Sequence, residues 1–335
     1  MPTISRRTML AASGALAAAA AVPASGQATS GKPLAGKSFL ITGTSSGFGQ
    51  LGALIYARQG AKVFATMRNL PRPEADELRK IAADEKLDIT VLQMDVLSDE
   101  QVASTIAEAE KLAGGALDVL VNNAGIVIGG PVEVQDMEAM KLAFDTNVFG
   151  VQRTTRAVLP AMRQRKSGLI VNVSSQQGRV IMPGVGAYAP TKFALEALSE
   201  QQAYELAPHG IEVVIIQPGG FNTNIGANRA RYMKALAERT DPRHAAGYPE
   251  MMASMTRTPE PSKPGQSAPP PKVDPADVPR AIAEIAAMPA GTRPMRRPVH
   301  PGNKPQLEIN RVSRETQLTW LANSPYAEWV RAVQG

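Results

Sequence analysis

Tyr188 and Lys192 stand four residues apart in GAYAPTKF, just ahead of the periodic run LEALSEQQAYEL. In a helix that spacing puts phenol and ammonium on one face, a single turn apart. A free tyrosine, with a pKa of about 10, is too weak a base near neutrality. A neighbouring cation favours the phenolate, and the positive ring of an oxidised nicotinamide would add to the effect. The pair therefore suits moving a proton on or off a carbinol oxygen while a hydride moves at its carbon. In an arbitrary helix the same pair would be an ordinary surface contact. Pro190 between them fits a helix if Tyr188 lies at its mouth, where the first turn has no donors to lose. Ser175 closes the stretch NVSS, 13 positions before Tyr188. A hydroxyl at the carboxyl end of a strand can stabilise charge growing on a substrate oxygen, or it can simply make a turn. Asn147, in FDTNVFG, falls inside a helical stretch, where asparagine is neither a good helix former nor a needed cap. Holding a water for a proton relay would explain it, and so would a kink.

These residues need a frame, and the pattern from Lys37 onward supplies one. Short apolar runs at 37–42, 61–66, 88–93, 117–121, 168–173 and 211–217 alternate with helical stretches at about 47–59, 73–84, 98–113, 135–164 and 187–207. Unbroken apolar strands alternating with helices indicate a doubly wound, Rossmann-like parallel sheet covered by helices on both faces. After about Asn222 the character changes. Residues 257–275 hold seven prolines and read as a loop. A capped helix in DPADVPRAIAEIAAM, a last strand in RPMRRPV and short helices at 310–323 and 325–333 follow. One domain over 29–335 is expected, with an elaborated substrate lid and Pro-rich loop at about 222–275.

Between the first strand and the first helix stands TGTSSGFG, Thr42 to Gly49. Its glycines let the chain turn tightly and bring backbone amides to a pyrophosphate at a helix N-terminus. Gly43, Thr44, Ser45, Ser46, Gly47, Phe48 and Gly49 are thus candidate cofactor contacts, although such turns also serve packing. The second strand ends in Arg68, with no acidic residue before Glu74. An arginine there accommodates a ribose 2′-phosphate, which predicts NADP(H) over NAD(H). The plainer alternative is that Arg68 only solvates the strand end.

Composition removes several other classes. The 335 residues carry a net charge of +6, 44% apolar and 4% aromatic side chains, and no cysteine. Without cysteine there is no disulfide, thiolate nucleophile or thiolate-bound metal. No basic cluster is interleaved with aromatics, so nucleic-acid binding is not expected. His209, His244 and His300 are scattered, and no metal site is expected. The N-terminus, MPTISRRTMLAASGALAAAAAVPASGQATSG, has a twin arginine, an apolar run at 9–22 and small residues after it. That is the layout of a twin-arginine export signal, predicted to be cut after Ala28 or Ala24 and too short to span a membrane. A periplasmic or otherwise exported protein is expected, or a cytoplasmic one if the leader is not functional.

TGTSSGFG, NNAG at 122–125, Asn147, Ser175 and YAPTK together resemble the short-chain dehydrogenase/reductase family, in order and spacing, from about Lys37 to Thr223. The resemblance implies a seven-stranded sheet and a tetrad of Asn147, Ser175, Tyr188 and Lys192. It also implies cofactor contacts at Asp95 and Val96 beside the adenine, at Asn123, and at Pro218, Gly219 and Thr223 beside the nicotinamide and phosphates. Tyr188 and Lys192 would touch the cofactor as well. VFATMRN is similar to NADP-preferring members, including relatives acting on steroids and retinoids. The expected activity is interconversion of an alcohol with a ketone or aldehyde on a small, apolar substrate. A non-catalytic dinucleotide-binding regulator on the same fold is the alternative. The family often forms dimers or tetramers, so a homo-oligomer is expected. The leader and the Pro-rich insertion depart from the family pattern. Phe221, Tyr232, Met233, Tyr248, Met251, Met252 and Met255 in the lid could line an apolar pocket or pack the lid onto the core.

Overall fold

Seven short strands with almost no exposed side chains can be stable only when both faces are covered. In the computed structural model, which describes residues 31–256 and 273–335, they are β1 (Ser38–Thr42), β2 (Lys62–Met67), β3 (Ile89–Gln93), β4 (Val119–Asn122), β5 (Gly168–Val173), β6 (Ile211–Pro218) and β7 (Arg296–Val299). They form one parallel sheet in the order β3-β2-β1-β4-β5-β6-β7. The helices are α1 (Gly47–Arg58), α2 (Pro73–Asp84), α3 (Asp99–Ala113), α4 (Met137–Phe144), α5 (Gly150–Arg165), α6 (Tyr188–Leu206), α7 (Ile225–Arg239), α8 (Pro242–Ala245), α9 (Pro249–Thr256), α10 (Asp277–Ala287), α11 (Gln306–Trp320) and α12 (Ala327–Gln334). This is the doubly wound sheet expected from the sequence. The leader at 1–28 and nearly all of the Pro-rich stretch lie outside the described residues.

The strands sort their side chains by alternation. Phe39, Ile41, Val63, Val119, Val121 and Val171 join one core with α1, α2 and α10. Leu40, Phe64, Leu120, Ile170, Val213 and Ile215 join the other with α3, α5 and α6. Strand order reverses between β1 and β4, which pair through Phe39↔Val119 and Ile41↔Val121. At such a switch point the connections leave in opposite directions, opening a crevice at the strands' carboxyl ends.

Three features add to the expected frame, and the first departs from it. The stretch expected as one helix at 135–164 is α4 and α5 joined by a π-helical turn at Asp145–Phe149. The segment after β6, expected as an elaborated lid, is built from the helices α7, α8 and α9. Met233, Leu236 and Met255 pack it onto Ile126, Ile128 and Ala187 in a third, smaller core. Finally, α11 and α12 are wired to α6 through buried polar groups. Arg296 spans Glu196 (2.9 Å) and Glu200. Gln217 donates to Glu196 at 2.9 Å and accepts from Asn310 at 2.8 Å. Gln334 donates to Glu200 and to the Tyr204 hydroxyl, at 3.1 and 2.8 Å.

Candidate active site

The crevice is a cleft of about 480 Å³ lined by the turn after β1, the ends of β2 and β3, the NNAG loop, Ser175, the start of α6, residues 218–223 and one side of α7. The turn is held open by two glycines. Gly43 has φ +71°, and a Cβ there would lie 2.9 Å from the Ala124 backbone. At Gly49 a Cβ would lie 2.4 Å from the Gly43 carbonyl oxygen and 2.6 Å from the Asn123 amide nitrogen. That nitrogen donates to the carbonyls of Thr42 (2.9 Å) and Gly43 (3.0 Å), tying the turn to the end of β4. Thr42 returns the favour, its hydroxyl accepting from the Asn123 and Ala124 amides.

Helix α1 then begins with no side-chain cap and no acidic residue in its first turn. Its free amides and positive end face the cleft, which suits a pyrophosphate. Arg68 stands exposed on the cleft wall, without a side-chain partner among the described residues, while nearby Arg72 is occupied by Glu74 at 2.9 Å. Asp95 also lines the cleft, its carboxylate accepting from the Leu97 amide at 3.1 Å. An uncapped helix start, a turn with no room for side chains and an unpartnered guanidinium at the end of β2 fit a nicotinamide dinucleotide.

Helix α6 opens at Tyr188, so Pro190 falls in its first turn as expected. Tyr188 is half-buried on the cleft wall, and the Ser175 hydroxyl hydrogen-bonds its phenol. Lys192 is 5% exposed and lies 5.8 Å from the centre of the Tyr188 ring, with its ammonium donating to the Val173 carbonyl at 2.8 Å. The expected lowering of the phenol counted the positive ring of an oxidised nicotinamide; without it, burial dominates. Burial pushes the phenol up, and the Ser175 hydrogen bond only partly counters it. Burial likewise lowers the ammonium to about 8, against the attraction of Glu196. Desolvation disfavours any charged form, so in the protein alone the phenol holds its proton more firmly than in water.

Asn147 is wholly buried in the π-turn. Its amide donates to the Ile126 carbonyl (2.9 Å) and the Thr191 hydroxyl (3.0 Å), and its oxygen accepts from the Ile126 amide at 2.9 Å. Thr191 in turn donates to the Tyr188 carbonyl at 2.7 Å. The side chain therefore fastens α6 to the loop after β4, and it does not line the cleft. Parallel rungs hold the same helix lower down, from Thr154 to Asn122, from Asn122 to Asn172, and from Asn172 to Ser199.

Of the residues singled out from sequence, Gly43, Ser45, Ser46, Gly47, Phe48, Arg68, Asp95, Val96, Asn123, Ser175, Tyr188, Lys192, Pro218, Gly219 and Thr223 come together on this cleft. Thr44 and Gly49 do not. Thr44 turns inward and donates to the Thr66 carbonyl at 3.1 Å, while Gly49 packs behind the turn. The lid residues Met233, Tyr248, Met251, Met252 and Met255 are absent from the wall too; of those singled out in the lid, Phe221 and Tyr232 reach it. Sequence reasoning missed Gln177 and Arg229. Gln177 lines the cleft beside Ser175, with a buried amide oxygen unpartnered among the described residues. Its position two residues past the serine was the available signal.

Among known proteins, the family model described as short chain dehydrogenase matches residues 37–234. A 3-ketodihydrosphingosine reductase of Bacteroides thetaiotaomicron is 40% identical over 190 residues, 57% of this chain and 66% of that protein, just under two thirds of its length. A solved short-chain dehydrogenase from Streptomyces avermitilis superposes with a TM-score of 0.63 at 30% identity, covering 85% of this chain and 96% of that one. A gluconate 5-dehydrogenase from Burkholderia cenocepacia, solved with NADP and tartrate, gives 0.54 at 30% identity over 62% and 83% of the two chains.

Proposed function

The chain belongs to the short-chain dehydrogenase family, and on that premise we propose that it is an NADPH-dependent reductase converting a ketone or aldehyde to an alcohol. The observation that carries the reading is Tyr188 on the cleft wall, with the Ser175 hydroxyl against its phenol and buried Lys192 one turn on. A phenol pushed up by burial is loaded with a proton at neutral pH. That is the form a carbonyl reduction consumes.

Reduced nicotinamide, when bound, supplies the hydride. Tyr188 gives its proton to the carbonyl oxygen as charge builds there, and the Ser175 hydroxyl donates to the same oxygen. Lys192 offsets the negative charge left on the phenolate, which then recovers a proton from solvent. Asn147 holds the start of α6 in register through Ile126 and Thr191. The amides at the start of α1 hold the pyrophosphate, and Arg68 takes the 2′-phosphate that distinguishes NADP. The NADP in the Burkholderia structure is in keeping with this choice.

The test is NADPH consumption over a panel of ketones and aldehydes, comparing the parent with Tyr188→Phe. The variant is expected to lose about 10²- to 10⁴-fold in rate while still binding NADPH. Equal rates would rule out the chemistry and leave a dinucleotide-binding regulator. Export through the twin-arginine leader stays part of the proposal. Replacing Arg6 and Arg7 by lysine should trap the protein in the cytoplasm, and an unchanged fractionation pattern would remove that assignment.

A further inference from the structure

We propose that Arg229, on α7, anchors the substrate, and that the substrate carries a carboxylate in addition to its reacting carbonyl. The inference rests on the reductase reading for the identity of the reacting group, but its geometry is independent of it.

Among the described residues, four charged side chains line the cleft: Arg68, Asp95, Lys192 and Arg229. Three already have work. Arg68 stands where a 2′-phosphate is read, Asp95 caps its own turn, and Lys192 belongs to the tyrosine. Arg229 has none. Its guanidinium reaches only the Met233 sulfur, at 3.3 Å, a weak acceptor. No carboxylate pairs with it among the described residues. Other arginines of the same segment are satisfied: Arg239 pairs with Asp136, Arg243 with Asp241, and Arg231 lies over the Tyr232 ring. A half-buried guanidinium that faces a cleft unpaired forgoes charge-assisted hydrogen bonds that its neighbours make.

Its placement points to the substrate end. The guanidinium nitrogens lie 3.1 and 3.3 Å from where a Cβ on Gly129 would sit, so the bare backbone there leaves room for it. The next residue, Gly130, bridges to Val185 and donates to the Gly184 carbonyl at 2.9 Å. Val185 in turn accepts from the Tyr188 amide at 3.1 Å. The loop beneath Arg229 is thus stitched to the segment that presents the proton donor. Arg229 contacts this loop, whereas the candidate phosphate contacts lie in the turn after β1, at Arg68 and at Thr223, which meets that turn at Gly47.

A planar guanidinium with paired donors matches a carboxylate in a two-point contact. Val127, Val185, Ile225 and Tyr232 on the surrounding wall suit a hydrocarbon body between the two ends. An oxo acid fits this wall better than a neutral ketone.

The experiment uses the full chain with NADPH and three probes, 4-oxopentanoate, 6-oxoheptanoate and 9-oxodecanoate, each against its methyl ester. At the best length the acid should exceed its ester in kcat/KM by about 10- to 100-fold. Arg229→Leu should bring that ratio close to one, and Arg229→Lys, which keeps the charge without the fork, should fall between. Circular dichroism melts check that both variants are folded. In parallel, calorimetry with decanoate, which cannot be reduced, should show binding to the parent that Arg229→Leu weakens by a similar factor. The proposal is overturned if the parent shows neither acid preference nor decanoate binding, if Arg229→Leu keeps the preference, or if NADPH affinity falls in step with that of the acid. Should no probe be reduced while decanoate binding depends on Arg229, the anchor stands and the reductase reading fails.

Discussion

Gly49→Ala is the sharpest perturbation of the nucleotide turn, because the added atom has nowhere to go. Its Cβ would fall 2.4 Å from the Gly43 oxygen and 2.6 Å from the Asn123 amide nitrogen. Comfortable contact needs roughly 3.5 Å, so the turn and the end of β4 must part by roughly 1 Å. Separation on that scale breaks the 3.0 Å hydrogen bond from Asn123 to Gly43 and strains the 2.9 Å bond to Thr42. Overpacking costs about 1–3 kcal/mol, and each lost hydrogen bond about 1 kcal/mol. A total of about 2–4 kcal/mol lowers the melting temperature by about 3–6 °C in a chain of this size. The displaced turn should also weaken NADPH about 10-fold or more, since one poorly met phosphate contact costs that much. Calorimetric melting and fluorescence titration with NADPH measure the two effects. Gly247→Ala is the control: a Cβ there meets only the His244 carbonyl, at 3.8 Å, and should change stability by no more than about 0.5 kcal/mol. Parental melting and parental NADPH affinity in Gly49→Ala would show that the turn is not packed as described.

Arg68→Asp should swing the ratio of kcat/KM for NADPH over NADH by about 100-fold toward NADH, removing one charged contact and adding a repulsion; parallel kinetics with both coenzymes decide it. Arg296→Met strands the buried carboxylates of Glu196 and Glu200 and should cost about 3–5 kcal/mol in urea unfolding at pH 7. Burial alone pushes the Glu200 carboxyl up, and Arg296 with Tyr204 more than offsets it. The stability gained from that depressed pKa is complete above about pH 4.5 and fades as pH falls through the folded value, so the deficit should shrink in acid. Lys192 is held at about 8 against an ordinary 10.5, which makes its buried charge a cost of about 3 kcal/mol below pH 8. Lys192→Met should therefore gain stability at pH 7, less the lost bond to Val173, while losing activity. Its advantage should fade between pH 8 and 10.5 as the parent's lysine becomes neutral, and parental kcat/KM should fall as pH rises through about 8.

What the sequence made legible followed local rules. The α2 bounds coincide with the reading at 73–84 because Pro73 sits at its first position and Glu74 and Asp76 favour its positive end. The β5 bounds coincide because GLIVNV is buried at every position. What stayed hidden depended on direction. Spacing identified TGTSSGFG, yet it could not tell that Ser45 and Ser46 look into the cleft while Thr44 hangs from Thr66. Asn147 was visible as an oddity, but its three bonds reach residues 21 and 44 positions away. In α7, Arg229 and Arg231 are chemically identical in the text, and only the helix's seating on Ile126 and Ile128 decides which one faces the cleft. The desolvation of Tyr188 stayed hidden because adjacency of a cation is local, whereas burial is set by everything packed around the site.

The wiring of Gln334 to Glu200 joins positions 134 residues apart. Non-local closures of that length are slow and entropically late. During synthesis the helix bearing Tyr188 and Lys192 emerges long before its distal end can be clamped by α12. Assembly of the chemical apparatus thus waits on the synthesis of α12, and a nascent polypeptide stopped short of it holds every reacting group but not the brace beneath them.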